Sequence, residues 1–328
     1  MSTKLISAER FNILFQSKNF FKRNLGILLG LLALCVILTF KSPFFLTTDN
    51  MFNVLRQVST NSNLALGLTM AIIIGGIDLS VGAVVALAGT LAAGFITNQH
   101  MDVTSAIILA MVIGTSIGLL NGLIIAYGKI PAFITTLATM NLARGAAFVY
   151  SGGMPIRTFV DSFNILGIGR FGPIPLPVIY SVFFVVVIFL LLNRTKIGPH
   201  IYAIGGNREA ACFSGVNIPK IEVLVYTLSG FLASFSGVVL ACRMYSGQPS
   251  VGNGFELDAI AAAVLGGTSM SGGMGYISGT IIGVLIIGIL NNGLNLLNIN
   301  SFWQLIVKGI VILIAVFMDI SKKKSYSK

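Results

Sequence analysis

The sequence predicts an all-α polytopic membrane protein with about ten transmembrane helices. Three observations predict it. First, 55% of the 328 residues are hydrophobic and only 9% are charged, where a soluble domain carries about 25% charged residues. Second, the mean hydropathy is +0.92. Third, charge is absent from long apolar runs such as LGILLGLLALCVILTF (25–40), AIILAMVIGTSIGLLNGLIIAYG (106–128) and PLPVIYSVFFVVVIFLLLN (175–193). A bilayer takes roughly 20 mainly apolar residues per helix. The runs are too long for barrel strands and do not alternate.

Spans are predicted at 24–41, 58–75, 80–98, 104–127, 131–150, 174–193, 221–242, 257–269, 274–294 and 302–318. The first follows Lys18, Lys22 and Arg23, as a signal peptide would. Its LALC (32–35) carries bulky Leu34 where a lipidation site needs a small residue, so it reads as a retained span. The second and third flank a glycine-rich break, and the sixth and seventh flank the polar stretch 194–220. The fifth contains Arg144 and the eighth is short, which leaves eight or nine full crossings open. Arg144 is expected to snorkel or to pair with a backbone carbonyl. Lys308, inside the tenth, is expected to face protein or reach an interface.

Ten crossings put both termini on one side. That side collects Lys4, Arg10, Lys18, Lys22, Arg23, Lys129, Arg194, Lys196, Arg208, Lys220 and the C-terminal lysines. The other has Lys41, Arg56, Arg157, Arg170 and Arg243. The richer side is cytoplasmic by the positive-inside rule. Residues 1–23 then form a cytoplasmic tail, 24–318 the transmembrane domain with an inner connection at 194–220, and 319–328 a basic cytoplasmic tail.

Several function classes fall away. The net charge of +11 comes without a basic stripe interleaved with aromatics, so nucleic-acid binding is excluded. Cys35, Cys212 and Cys242 are scattered apolar fillers. His100 and His200 read as loop residues without metal-spaced partners. No GxxxxGK[ST] cradle and no nucleophile–base pair are present. The longest outer connection, about 151–173, is too short for a soluble domain.

The inner connection holds GGNREAACFSGVNIP (205–219). Asn207 is an N-cap, and Glu209 suits the positive end of the dipole. Gly215 suits the left-handed residue beyond the end, and Pro219 blocks continuation. Residues 208–214 make a rod about 10 Å long, with Arg208 at its start. Ala210 and Ala211 leave one side bare, and Phe213 offers an apolar anchor. Such a peg either docks into a partner's groove or lies on the headgroups.

GGIDLSVG (75–82) and GGTSMSGG (266–273) share the pattern GGxxxSxG. They read as a parallel internal repeat, or as a chance match in a chain with 37 glycines. In the first, Gly75, Gly76 and Gly82 permit a break and close packing. Asp78 either caps the next helix or, with Ser80, lines a gate; a proton-coupling role is the third reading. In the second, Gly266 and Gly267 pack helices, while Ser269 and Ser271 either pack or shape the inner end of a pathway. Glu256 and Asp258 are expected at the outer start of the eighth span, where acids favour a helix N-terminus.

EAACFSG (209–215) matches EAAxxxG, the coupling signature of ABC-importer permeases. Together with GGIDLSVGAVVALAG (75–89), YAIGGNREAACFSGVNIPK (202–220), ELDAIAAAVLGGTSMSGGMG (256–275) and NNGLNLL (291–297), it resembles the ribose-type sugar permeases across nearly the whole chain. The segment after Gly215 is shorter than in other importers. The resemblance implies a ten-helix ABC importer permease fold with no ATPase site or cofactor of its own. It implies a second permease subunit, a cytoplasmic two-domain ATPase that uses ATP and Mg, and an extracytoplasmic sugar-binding protein. Coupling to the ATPase falls to Asn207, Arg208, Glu209, Ala210, Ala211, Phe213 and Gly215. Ribose is the favoured cargo, with galactose, xylose, autoinducer-2 and nucleosides carried by related permeases. Two other classes remain: an ion-coupled secondary transporter using Asp78, and a scaffold without transport.

Overall fold

A computed structural model describes residues 25–326. The predicted tail at 1–23 lies outside the described residues, as do positions 327 and 328. Each predicted span carries a helix: α1 (Leu25–Lys41), then α2 (Thr48–Ile73), α3 (Val81–Thr97), α4 (Val103–Gly128) and α5 (Ala132–Ser151). A further helix, α6 (Asp161–Ile168), precedes α7 (Leu176–Arg194). The connection at 194–220 holds two helices, α8 (Ile197–Gly206) and α9 (Arg208–Phe213). The chain closes with α10 (Ile218–Met244), α11 (Phe255–Leu265), α12 (Ile277–Leu296) and α13 (Ser301–Tyr326). Five of these, α4, α5, α7, α10 and α12, are long and apolar enough to cross a membrane.

Three differences from the expected elements have plain causes. Helix α2 starts at Thr48, well before position 58, because Thr47 accepts a hydrogen bond from the Asn50 N–H. Its first turns carry Asp49, Asn53, Arg56 and Gln57, to which hydropathy is blind. Helix α8 was hidden by its glycines, and it holds His200, expected in a loop. Helix α13 runs through position 319, where a tail was expected, as far as Tyr326.

Helix α10 is the hub, packed on α2, α3 and α4. Small residues make the closest contact possible. Gly114, Gly118 and Gly122 recur every four residues on α4 and face Ser234, Gly230 and Val223 of α10 in antiparallel register. Such small-residue ladders let membrane helices approach backbone to backbone, where packing rather than the hydrophobic effect holds them. A Cβ on Gly118 would sit 2.9 Å from the Gly230 Cα. Gly118→Leu is therefore expected to force the two helices apart at a cost of about 3 kcal/mol, read as a lowered melting temperature of the detergent-solubilised protein. Unchanged melting would refute the tight contact. Away from α10, α4 and α7 turn Ile108, Val112, Leu120, Val182, Phe183 and Val186 outward, an apolar face suited to lipid. Helix α3 is buried nearly all round.

The stretch between α10 and α11 enters the helical bundle. Strand β4 (Ser246–Gly247) pairs antiparallel with β1 (Ile156–Arg157) of the outer connection. A second two-residue pair, β2 (Arg170–Phe171) with β3 (Ile174–Pro175), closes that connection. Gly247 lies against Gly89 and Thr90 in the middle of α3, and Gly252 against Gly82 at its start. The chain thus descends alongside α3 before α11 begins. Helix α11 has 11 residues, about half a crossing. Irregular backbone at this depth must be satisfied by protein, and Arg144 of α5 does so: its guanidinium donates to the carbonyls of Pro249 (2.9 Å) and Val251 (2.5 Å). Glu256 and Asp258, expected at the start of the eighth span, stand in the first turn of α11. The carboxylate of Asp258 pairs with Lys308 of α13 at 2.8 Å.

Candidate functional site

The short polar helix α9 forms as its sequence dictates. The Asn207 side chain accepts from the Ala210 N–H at 2.9 Å, and Glu209 stands in the first turn. The helix ends at Phe213, one residue before the expected end, and Ser214 is the C-cap. Gly215 follows with φ +82°, a conformation that L side chains rarely adopt. The Gly215 N–H donates to Cys212 O (3.0 Å) and the Val216 N–H to Ala211 O (3.1 Å), the pair of bonds that closes a glycine-terminated helix. Pro219 does not act as the stop; it sits in the first turn of α10, whose N-cap is Asn217.

One side of α9 belongs to the chain itself. Ala211, expected on a bare face, is buried in the inner apolar cluster with Ile201, Ile204, Ile218 and Tyr226. Ala210 is exposed, and Phe213 is 92% exposed. Arg208 anchors the start of α9 through a two-pronged ion pair with Glu222 of α10, one prong at 3.1 Å. This pairing holds the Arg208 guanidinium above its ordinary pKa. Glu222 is only 4% exposed. Beside the pair opens a cavity of about 710 Å³, lined by Lys129, Arg208, Cys212, Glu222, Tyr226 and Gly76 among others. The Tyr226 hydroxyl lies over Gly76 and has no hydrogen-bond partner among the described residues.

Helix α8 joins this peg to the bundle. A Cβ on Gly205 would overlap the carbonyl oxygen of Ile73, the last residue of α2. The same carbonyl accepts from the Gly273 N–H at 2.8 Å. The Tyr202 hydroxyl donates to Gly275 O at 2.8 Å. The end of α8, the end of α2 and the segment after α11 therefore meet at one point, backbone against backbone.

The two GGxxxSxG segments share a local form. Both open with a left-handed glycine after a helix, Gly75 (φ +87°) and Gly267 (φ +90°), although these occupy different positions of the pattern. In both, the side chain at the fourth position accepts from the N–H two residues on: Asp78 from Ser80 (3.0 Å) and Ser269 from Ser271 (3.4 Å). Asp78 is not the helix cap; α3 begins at Val81 with Ser80 at its N-cap. The Asp78 carboxylate also accepts from the hydroxyls of Ser80 (2.6 Å) and Ser229 (2.7 Å), and Ser80 accepts from Asn121 (3.0 Å). Asp78 and Ser80 are buried, as are Gly82, Gly266 and Ser269. Of the gate candidates, Gly75, Gly267 and Ser271 are exposed and Gly76 is half-buried. In this conformation the acid of the first segment is a fastening between α3, α4 and α10, with no surface toward an open path.

Glu222 and Tyr226 escaped the sequence reading. The available signal was a lone acid in the apolar run IPKIEVLVY, one helical turn before a tyrosine. Gly205 was quoted, but its role needs the third dimension.

A family model described as branched-chain amino acid transport system / permease component matches residues 50–316. The ribose import permease protein of Bacillus subtilis strain 168 is 48% identical over 99% of this chain and 100% of its own length. The ribose import permease protein of Escherichia coli strain K12 is 46% identical, covering 90% of this chain and 93% of its own. The galactose/methyl galactoside import permease protein of the same strain is 39% identical over 90% of this chain and 93% of its own. No solved structure matches the chain.

Proposed function

The chain belongs to the family of permease components of branched-chain amino acid transport systems, and from that membership we propose that it is the membrane subunit of an ATP-driven ribose importer. The cargo is supported by the ribose import permeases, which stand at 46–48% identity where the galactose relative stands at 39%. A separate cytoplasmic ATPase with two nucleotide-binding domains consumes ATP and Mg. A binding protein delivers the sugar from outside to a pair of permease subunits. The chain crosses the membrane ten times, with both termini and α9 on the cytoplasmic side.

The observation that carries this reading is the geometry of α9. It is a capped peg with Phe213 projecting outward, tied to α10 through Glu222 and to α2 through α8. Phe213 fits an apolar groove on the ATPase. When the ATPase closes, the peg moves and α8 presses directly on Ile73 and Gly273. No side chain stands between them to absorb the motion, so the displacement reaches the 75–82 and 266–273 segments. The permease itself needs only weak contacts with sugar, since a tight site would slow release.

The test is uptake by the whole complex in proteoliposomes. Phe213→Asp and Gly215→Val are expected to cut uptake at least about tenfold, the effect of losing one buried apolar anchor or cap, with the protein still inserted. If both variants take up sugar at the wild-type rate, α9 is not the docking element.

A further inference from the structure

A small polar recess lies among α2, α10, α11, α12 and α13, remote from α9. Its volume is about 120 Å³. Thr60 and Asn61 enter from α2, Arg243 from α10, Asp258 from α11, Asn291 from α12 and Lys308 from α13. Two rungs are visible. At the outer rung the Gln304 side chain donates to Asn295 at 2.9 Å. One helical turn deeper, Asn291 and Lys308 both donate to the Asp258 carboxylate, at 3.1 and 2.8 Å. Leu240 and the Phe255 ring supply the apolar wall.

Ionisable and amide groups at this depth are costly and mark function by default. A purely structural ion pair needs only its two partners. Here Asn291 is 5% exposed, and its amide oxygen faces no donor among the described residues. A buried acceptor left open calls for an occupant. The recess offers an ammonium and a guanidinium as donors, a carboxylate as acceptor, and amides and a hydroxyl that serve as either. That mixture suits hydroxyl groups, each of which donates once and accepts twice. An aromatic ring beside it suits the C–H face of a sugar. The volume equals about four water molecules' share of the liquid, enough for one hydroxylated edge of a monosaccharide.

We propose that this recess is a transient subsite for the vicinal hydroxyls of the transported monosaccharide in the outer half of the permease. The Asp258–Lys308–Asn291 cluster binds the hydroxyl edge and Phe255 meets the carbon face. The inference rests on the sugar-import reading above and places the cargo within it.

The test uses the full complex in proteoliposomes with labelled ribose, recording sugar moved and ATP hydrolysed together. Asn291→Leu keeps the branched shape, adds some bulk and removes the amide; Thr60→Val is isosteric and removes only a hydroxyl. Sugar moved per ATP is expected to fall about tenfold for Asn291→Leu and about threefold for Thr60→Val, as for one or two lost hydrogen bonds. Hydrolysis stimulated by the loaded binding protein should stay within about twofold, because α9 is untouched. Should Asn291→Leu fail to assemble, Thr60→Val decides alone. Unchanged sugar per ATP, or transport and hydrolysis falling in step, overturns the subsite and leaves a water-filled packing defect. A wild-type complex that moves no ribose overturns the importer reading instead, so the two failures are distinct.

Discussion

Arg144→Leu is expected to remove most folded protein from the membrane. Arg144 donates to the carbonyls of Pro249 and Val251, on a stretch whose backbone has neither helix nor sheet to satisfy it. Leucine fills the space and leaves both carbonyls orphaned where water is scarce. Each orphan costs about 2–3 kcal/mol, which together approach the whole stability of a marginal fold. Arg144→Lys should fall between, since both bonds come from the one guanidinium nitrogen Nη1, and a lysine ammonium still carries several donors but on a side chain one bond shorter. The readout is the monodisperse fraction on size exclusion in detergent, with melting temperature for whatever survives. An Arg144→Leu protein that accumulates and melts like the wild type would show that the 245–254 stretch does not depend on this clamp.

The second large effect is an asymmetry in the pair that ties α9 to α10. Arg208→Ala leaves the Glu222 carboxylate, 4% exposed, without its partner. The cost is about 3 kcal/mol, the low end for a broken buried pair, because the Arg208 side chain is 53% exposed and water can enter its place. Glu222→Gln leaves Arg208 free to turn into solvent and costs about 1 kcal/mol. The double variant should regain stability, since no buried charge is stranded. Uptake should stay low in all three, because α9 has lost its tether. Melting of the complex and uptake, measured side by side, check this. Equal destabilisation by the two single changes, or recovery of uptake in the double variant, would sink it.

Helix positions were legible wherever hydropathy and capping agreed. The spans at 80–98, 104–127 and 131–150 fall within a residue or two of α3, α4 and α5, because their ends carry Asp102, Pro131 and glycines. The start of α2 was illegible, since its first turns are polar and packed by Asn50 bonding to Asn292. The depth of α11 was equally hidden. Nothing in SGQPSVGNGFELD distinguishes a surface loop from one that turns inward, until Gly252 meets Gly82 and Arg144 reaches Val251. In the inner connection, Asn207, Glu209 and Gly215 announced α9 by local chemistry alone. Its attachment was not announced, because Arg208 with Glu222 and Gly205 with Ile73 are contacts between segments. Asp78 shows the limit most plainly. A carboxylate before a helix suggests a cap, and only the fold reveals Ser229 of α10 as its partner.

The inward turn of the chain before α11 bears on how its sidedness is mapped. Reporter enzymes fused after truncation at 244 would emerge at the end of a complete α10. Fusions between 248 and 254 would sever the chain midway through this stretch, before the short helix α11 can trap it. Such truncations should give mixed signals on both sides, which a conventional map would score as a weak crossing.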